Sequence, residues 1–205
     1  MSDEPGEAGT ERLIYFSDAV IAIAITLLAL ELPLPTGAHS NAEMLAFLGK
    51  NATDYLAFLI SFAAIAMHWL VHQRLFRHVS GLAGRVIRWN LLWLLMIVLM
   101  PFTTKLLTSD NEAFQVQFIA YAVDQGLAGL FLVLAFSDLR RHGLLRANIP
   151  PEVAADTVEF MTAVVVMFAL SIPVAFVTHF AGLCWLLLPV LRLGVRFARR
   201  RTVSA

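Results

Sequence analysis

The side chains able to do chemistry in this sequence are those stranded in or beside its apolar runs: Arg12, Ser17, Asp18, His68, His72, Trp89, Asn90 and Asp124. A carboxylate at the centre of a membrane helix costs on the order of 2.5 to 3.5 kcal/mol on insertion scales, so Asp18 needs a polar partner rather than lipid. Arg12 or a histidine is the expected counter-charge, with Ser17, Asn90 and the Trp89 indole N–H supplying further hydrogen bonds. Such a group suits a gate, a proton-sensing element or an ion-coordination site. It suits equally a lock that holds helices together, and the lock is the favoured reading, because buried ionisable groups find partners whether or not they move. His68 and His72 share a helix face at i and i+4, which raises a metal reading. No HExxH accompanies them, and no metal site or cofactor is expected. Asp124 shares a face with Gln117 and Tyr121, and either a proton or cation relay or an interhelical hydrogen bond accounts for it, the latter being preferred.

The elements that position these residues follow from composition. The chain has 205 residues, 59% of them hydrophobic, with equal numbers of basic and acidic side chains, and a mean hydropathy of +0.75. That is an integral membrane protein of the all-α class, not a soluble domain. A helix rising about 1.5 Å per residue needs roughly 20 apolar residues to cross about 30 Å of hydrocarbon. Six segments qualify: Arg12 to Leu32, about Met44 to Leu75, Val86 to Leu107, Ala113 to Leu139, Thr157 to Val177 and Phe180 to Phe197. Residues 1–11 have the composition of a mobile tail, 12–198 form one membrane domain, and 199–205 a basic tail. Pro33 stops the first helix, Pro101 marks a kink or the fraying of the third, and Pro150 and Pro151 punctuate a loop. Cys184 is the sole cysteine, so neither an intrachain disulfide nor a cysteine metal cluster is possible.

Charge fixes the topology. With a cytoplasmic N-terminus, the inside collects Arg12, then Arg74, Arg77, Arg85 and Arg88, then Arg140, Arg141 and Arg146, then Arg192 to Arg201, leaving Lys50 and Lys105 outside. That asymmetry predicts both termini in the cytoplasm and reports orientation rather than nucleic acid, which is not an expected partner. It also places Ser17, Asp18, His68, His72, Trp89 and Asn90 at similar depth near the cytoplasmic face, and Asp124 near the midplane.

Two faces of the first helix stand out. Ala19, Ala22, Thr26 and Ala29 make a small stripe, which lets backbones approach. Ile23, Leu27 and Leu30, at i, i+4 and i+7, make a bulky one. Periodicity alone reads the latter as lipid-facing or ordinary packing.

The run Arg12-x-x-x-Phe16-Ser17-Asp18 followed by AVIAIAITLLALEL resembles the signature of the transmembrane protein 175 family of potassium channels. Trp69-x-x-His72-x-x-Leu75-Phe76, Trp89-Asn90 and Pro101-Phe102 are supporting matches. The resemblance implies a six-helix subunit assembled as a homotetramer in a bacterial plasma membrane, with four copies of helix one around the axis. It implies a pore constriction at Ile23, Leu27 and Leu30, and Thr26 in a polar layer affecting selectivity. Arg12, Ser17 and Asp18 become the pore-helix anchor, with His72, Trp89 and Asn90 as partners. The sequence holds no TVGYG-like loop, so weak to moderate preference for K⁺ over Na⁺ is expected, set by how readily each cation sheds water in an apolar ring. Asp124 departs from the uncharged residue expected there, which with His68 leaves proton sensitivity open. A proton-coupled transporter or proton-permeable channel using Asp and His competes with this reading, although no repeat halves are visible. An intramembrane enzyme lacks a suitable motif, and a noncatalytic assembly factor is the remaining class. The expected partners are further copies of the chain, monovalent cations and the lipid bilayer.

Overall fold

A computed structural model describes residues 5–37, 40–109, 113–146, 151–178 and 181–186. Six α-helices follow one another: α1 (Pro5–Leu30), α2 (Asn41–Lys50), α3 (Ala52–Phe76), α4 (Gly84–Leu107), α5 (Phe114–Arg141) and α6 (Pro151–Ala175), then a 3₁₀ turn over Ala181–Leu186. Among the described residues five helices, all but α2, are long and apolar enough to cross a membrane. The chain is an all-α polytopic membrane protein. The sixth expected span, Phe180 to Phe197, lies mostly outside the described residues, as do Pro189 and the tail 199–205.

Four boundaries differ from expectation for local reasons. Helix α6 starts at Pro151, within the stretch read as a loop ahead of Thr157, because proline suits the first helical position. The helix expected to start at Arg12 starts at Pro5, inside the segment read as a tail, because proline suits the first helical position and acidic residues beside it favour the positive end of the helix dipole. The apolar stretch from Met44 to Leu75 is two helices. Ser40 caps α2 in a reciprocal box with Glu43, and Asn51 ends it by folding its side-chain amide onto Phe47 O at 2.8 Å. Pro101 neither frays nor ends α4, which continues to Leu107. The Thr103 and Thr104 hydroxyls lie 3.2 and 2.7 Å from Met100 O, whereas the carbonyl that Pro101 leaves without its helical N–H is Ile97 O, four residues earlier.

The five long helices alternate in direction: the start of α3 meets the end of α1 and its end meets Asp18, and Trp89 and Thr103 of α4 meet Asp138 and Asp124 of α5. Helices α4 and α5 form the centre, α6 packs on α5, and α1 lies against α4 and α3. Trp93, Ile97 and Met100 of α4, Phe118, Tyr121, Ala128 and Leu132 of α5, and Met161 and Val164 of α6 make the main core, with Ile21, Ala24 and Leu28 of α1 on its edge. Helices α5 and α6 approach closely at Gly129, where an added Cβ would stand 3.1 Å from Val165 Cγ2. A second cluster of Leu75, Phe76, Val79, Val86, Phe136 and Leu139 closes the arginine-rich end. There the α3–α4 loop and the segment after α5 join like two short strands: Ser80 N donates to Leu144 O at 2.9 Å and Arg146 N to His78 O at 2.8 Å.

Candidate functional site: the two faces of α1

Helix α1 has one buried face and one bare face. Ser17, Ile21, Ala24 and Leu28 recur at i, i+4, i+7 and i+11 and are buried. On the other side Ile23 is 59% exposed, Leu27 43% and Leu30 79%. Thr26 lies among them, also exposed, its hydroxyl 2.7 Å from Ile23 O. The small stripe of Ala19, Ala22 and Ala29 is exposed too, so among the described residues neither stripe is enclosed by the rest of the subunit.

At the buried face a polar chain crosses three helices. Ser17 Oγ donates to Leu13 O at 2.8 Å and accepts from Asn90 Nδ2 at 3.0 Å. Asn90 Oδ1 lies 2.9 Å from His72 Nε2. Since the Asn90 amide nitrogen is spent on Ser17, its oxygen is an acceptor, and His72 Nε2 therefore bears the proton. The ring of His72 is clamped between Trp93, parallel to within 6° at 4.5 Å, and Phe76 at 4.1 Å. One turn away the Trp93 indole points at His68 Nδ1, 3.4 Å distant. All of these groups are buried, where a hydroxyl, an amide and an imidazole without partners would each cost roughly 1–3 kcal/mol.

Asp18 stands beside this chain, half-buried. Its Oδ1 accepts from the Trp69 indole at 2.9 Å and from Gln73 Nε2 at 2.7 Å. Arg12 is not its partner: it is exposed on the outer side of α1, and among the described residues no ion pair joins the two. Geometry explains this, since six residues along a helix separate the two positions by about 120° around the axis and about 9 Å along it. Trp89 does not reach Asp18 either. Its N–H donates to Asp138 Oδ2 at 2.8 Å, and Arg85 Nε approaches the same oxygen at 3.8 Å. The structure thus brings Ser17, His72 and Asn90 together, adds Trp69 and Gln73 around Asp18, and assigns Trp89 to a separate contact between α4 and α5.

No group of three or more metal-binding side chains occurs among the described residues, and the ring nitrogens that His68 and His72 turn to Trp93 and Asn90 are occupied. Asp124 meets Thr103 across the α4–α5 seam at 3.2 Å. Tyr121 bonds Ser61, 3.2 Å away, which in turn meets Thr104 at 2.8 Å. At the opposite end from the arginines, Thr108 donates to Asp54 at 2.8 Å and Lys105 pairs with it at 3.9 Å.

The motif and the bare face lie on the first helix, the polar chain joins that helix to α3 and α4, and residues 12–101, from Arg12 of α1 to Pro101 of α4, match the family model described as endosomal/lysosomal potassium channel TMEM175. A potassium channel of Chamaesiphon minutus is 36% identical over 147 residues, covering 69% of this chain and 70% of that protein. The chain belongs to the TMEM175 family. A potassium channel of Streptomyces collinus is 32% identical over 131 residues, 64% of this chain and 63% of that one. The crystal structure of a lysosomal potassium-selective channel TMEM175 homolog from Chamaesiphon minutus superposes with a TM-score of 0.74 at 27% identity, over 91% of this chain and 97% of that one.

Proposed function

We propose that the protein is a potassium-permeable cation channel, a homotetramer in which four copies of α1 surround the axis and Ile23, Leu27 and Leu30 form the constriction. The observation that carries this reading is the bare apolar face of α1 opposite a face held by hydrogen bonds and packing. The potassium-channel relatives support it, and the family match at residues 12–101 includes this helix from Arg12 onward.

Four symmetry-related branched side chains at one level make a dry ring, and a cation passing it sheds part of its hydration shell. K⁺ holds water less firmly than Na⁺ and loses less in doing so, which yields modest selectivity without backbone carbonyls. The Thr26 hydroxyl donates to Ile23 O and keeps its oxygen lone pairs for a passing cation. The same ring shuts when it dewets. The Ser17–Asn90–His72 chain and the Trp69–Asp18–Gln73 contact anchor α1 so that its bare face stays turned to the axis. The arginine-rich end faces the cytoplasm.

Flux from liposomes tests the function. Potassium efflux that persists with no pH gradient is the expected result, and flux that follows an imposed pH gradient instead would select proton-coupled transport by Asp124 and the histidines.

A further inference from the structure

Asp124 is 4% exposed and lies where α5 meets the proline-containing stretch of α4. Its Oδ2 is 3.2 Å from Thr103 Oγ1, and the same hydroxyl is 3.2 Å from Met100 O. Asp124 Oδ1 has no protein partner. A threonine hydroxyl has one proton and can donate once, whereas Met100 O and an ionised Asp124 are both acceptors only. If Asp124 were ionised, one of the two contacts would be a meeting of lone pairs. With a proton on Asp124 Oδ2 both contacts become hydrogen bonds: the carboxylic acid donates to Thr103, and Thr103 donates to Met100.

Among the described residues the surroundings supply no compensating cation. On α5 the nearest titratable group is Tyr121, a turn away and engaged with Ser61. Helix α4 contributes Lys105, which is paired with Asp54. From α3 come His68, its Nδ1 turned to Trp93, and His72, bonded to Asn90. Helix α6, which packs on α5, carries the acids Asp156 and Glu159 near its start and presents the buried Ser171 further along. Among the described residues no lysine, arginine or histidine forms an ion pair with Asp124. An anion stranded in a helix bundle without a counter-charge is costly.

We propose that Asp124 is a proton-binding site: it is carried as a carboxylic acid whose proton completes the latch Asp124–Thr103–Met100 between α5 and α4. The ligand is a single proton, and its removal converts a donor into an unpaired charge at the centre of the seam. This inference is independent of the ion that the pore conducts.

Infrared spectra of the full-length protein in lipid vesicles, wild type against Asp124→Asn, test it. Asparagine keeps the shape and a donor for Thr103, so the variant is expected to assemble and to conduct as the wild type does. The difference spectrum at neutral pH is expected to show a protonated carboxyl carbonyl band, shifted in D₂O and lost in the variant. Thermal unfolding completes the test: the wild type is expected to lose stability as pH rises through the point where this band disappears, and Asp124→Asn is not. A carboxylate band in place of the carbonyl band, failure of the asparagine variant to assemble, or coincident pH profiles for the two proteins would overturn the assignment.

Discussion

The two sides of α1 differ in kind, although the same 26 residues make both. Toward α3 and α4 Ser17 and Asp18 are hydrogen-bonded and the apolar residues Ile21, Ala24 and Leu28 are enclosed. Away from them Ile23, Leu27 and Leu30 are exposed. A membrane helix gains little by hiding branched side chains from lipid, because lipid tails are as apolar as leucine, so specific hydrogen bonds must hold its rotation about its own axis. The comparison teaches that the polar face determines where the apolar face points.

That division can be broken from the polar side first. Asn90→Leu removes the acceptor of the His72 N–H and the donor to Ser17, and should destabilise the subunit by roughly 1–3 kcal/mol for the stranded imidazole alone. A lowered unfolding midpoint in detergent, with current falling only in proportion to folded protein, is the expected outcome. Gly129→Val is the packing counterpart, far from α1. Its Cβ would stand 3.1 Å from Val165 Cγ2 and 3.6 Å from Met161 O, and overpacking of this kind costs about 1–3 kcal/mol. Thermal stability should fall while ion preference in the surviving protein stays as it was.

Asp18→Ala is a smaller perturbation, because Trp69 and Gln73 are only partly buried and lose hydrogen bonds worth about 1.5–3 kcal/mol at most with a charged acceptor, part of which solvent restores. Size-exclusion profiles should show impaired assembly, whereas the unit conductance of assembled channels should change little. A well-formed tetramer would argue that α1 is held by packing and by Ser17–Asn90 instead. Ile23→Asn, on the bare face, should leave the unfolding midpoint almost unmoved and alter only permeation.

The sequence made much of this legible, and its failures have physical causes. The apolar runs located five spans because hydrocarbon thickness is a stringent ruler. It merged α2 with α3 because hydropathy is averaged over a window, although the Ser40–Glu43 capping box was present in the text of the chain. Ser17, His72 and Asn90 could be grouped by depth, since alternating helices bring those positions to one level. Depth carries no azimuth, however. Arg12 is on the same helix as Asp18 yet about 120° around its axis and about 9 Å along it, and Trp89 turns to Asp138, a residue masked in the sequence by the arginines that follow it. Trp69 and Gln73 were the true donors to Asp18, and only the rotation of α3 about its axis could identify them.

The central claim is that the bare face of α1 is the ion path, and the reversal potential of reconstituted channels with K⁺ on one side and Na⁺ on the other tests it most directly. The account predicts a K⁺-preferring potential for the wild type and a shift toward zero for Leu27→Asn, whose amide lets water into the ring. An identical reversal potential for the two proteins, both folded and conducting, would contradict it.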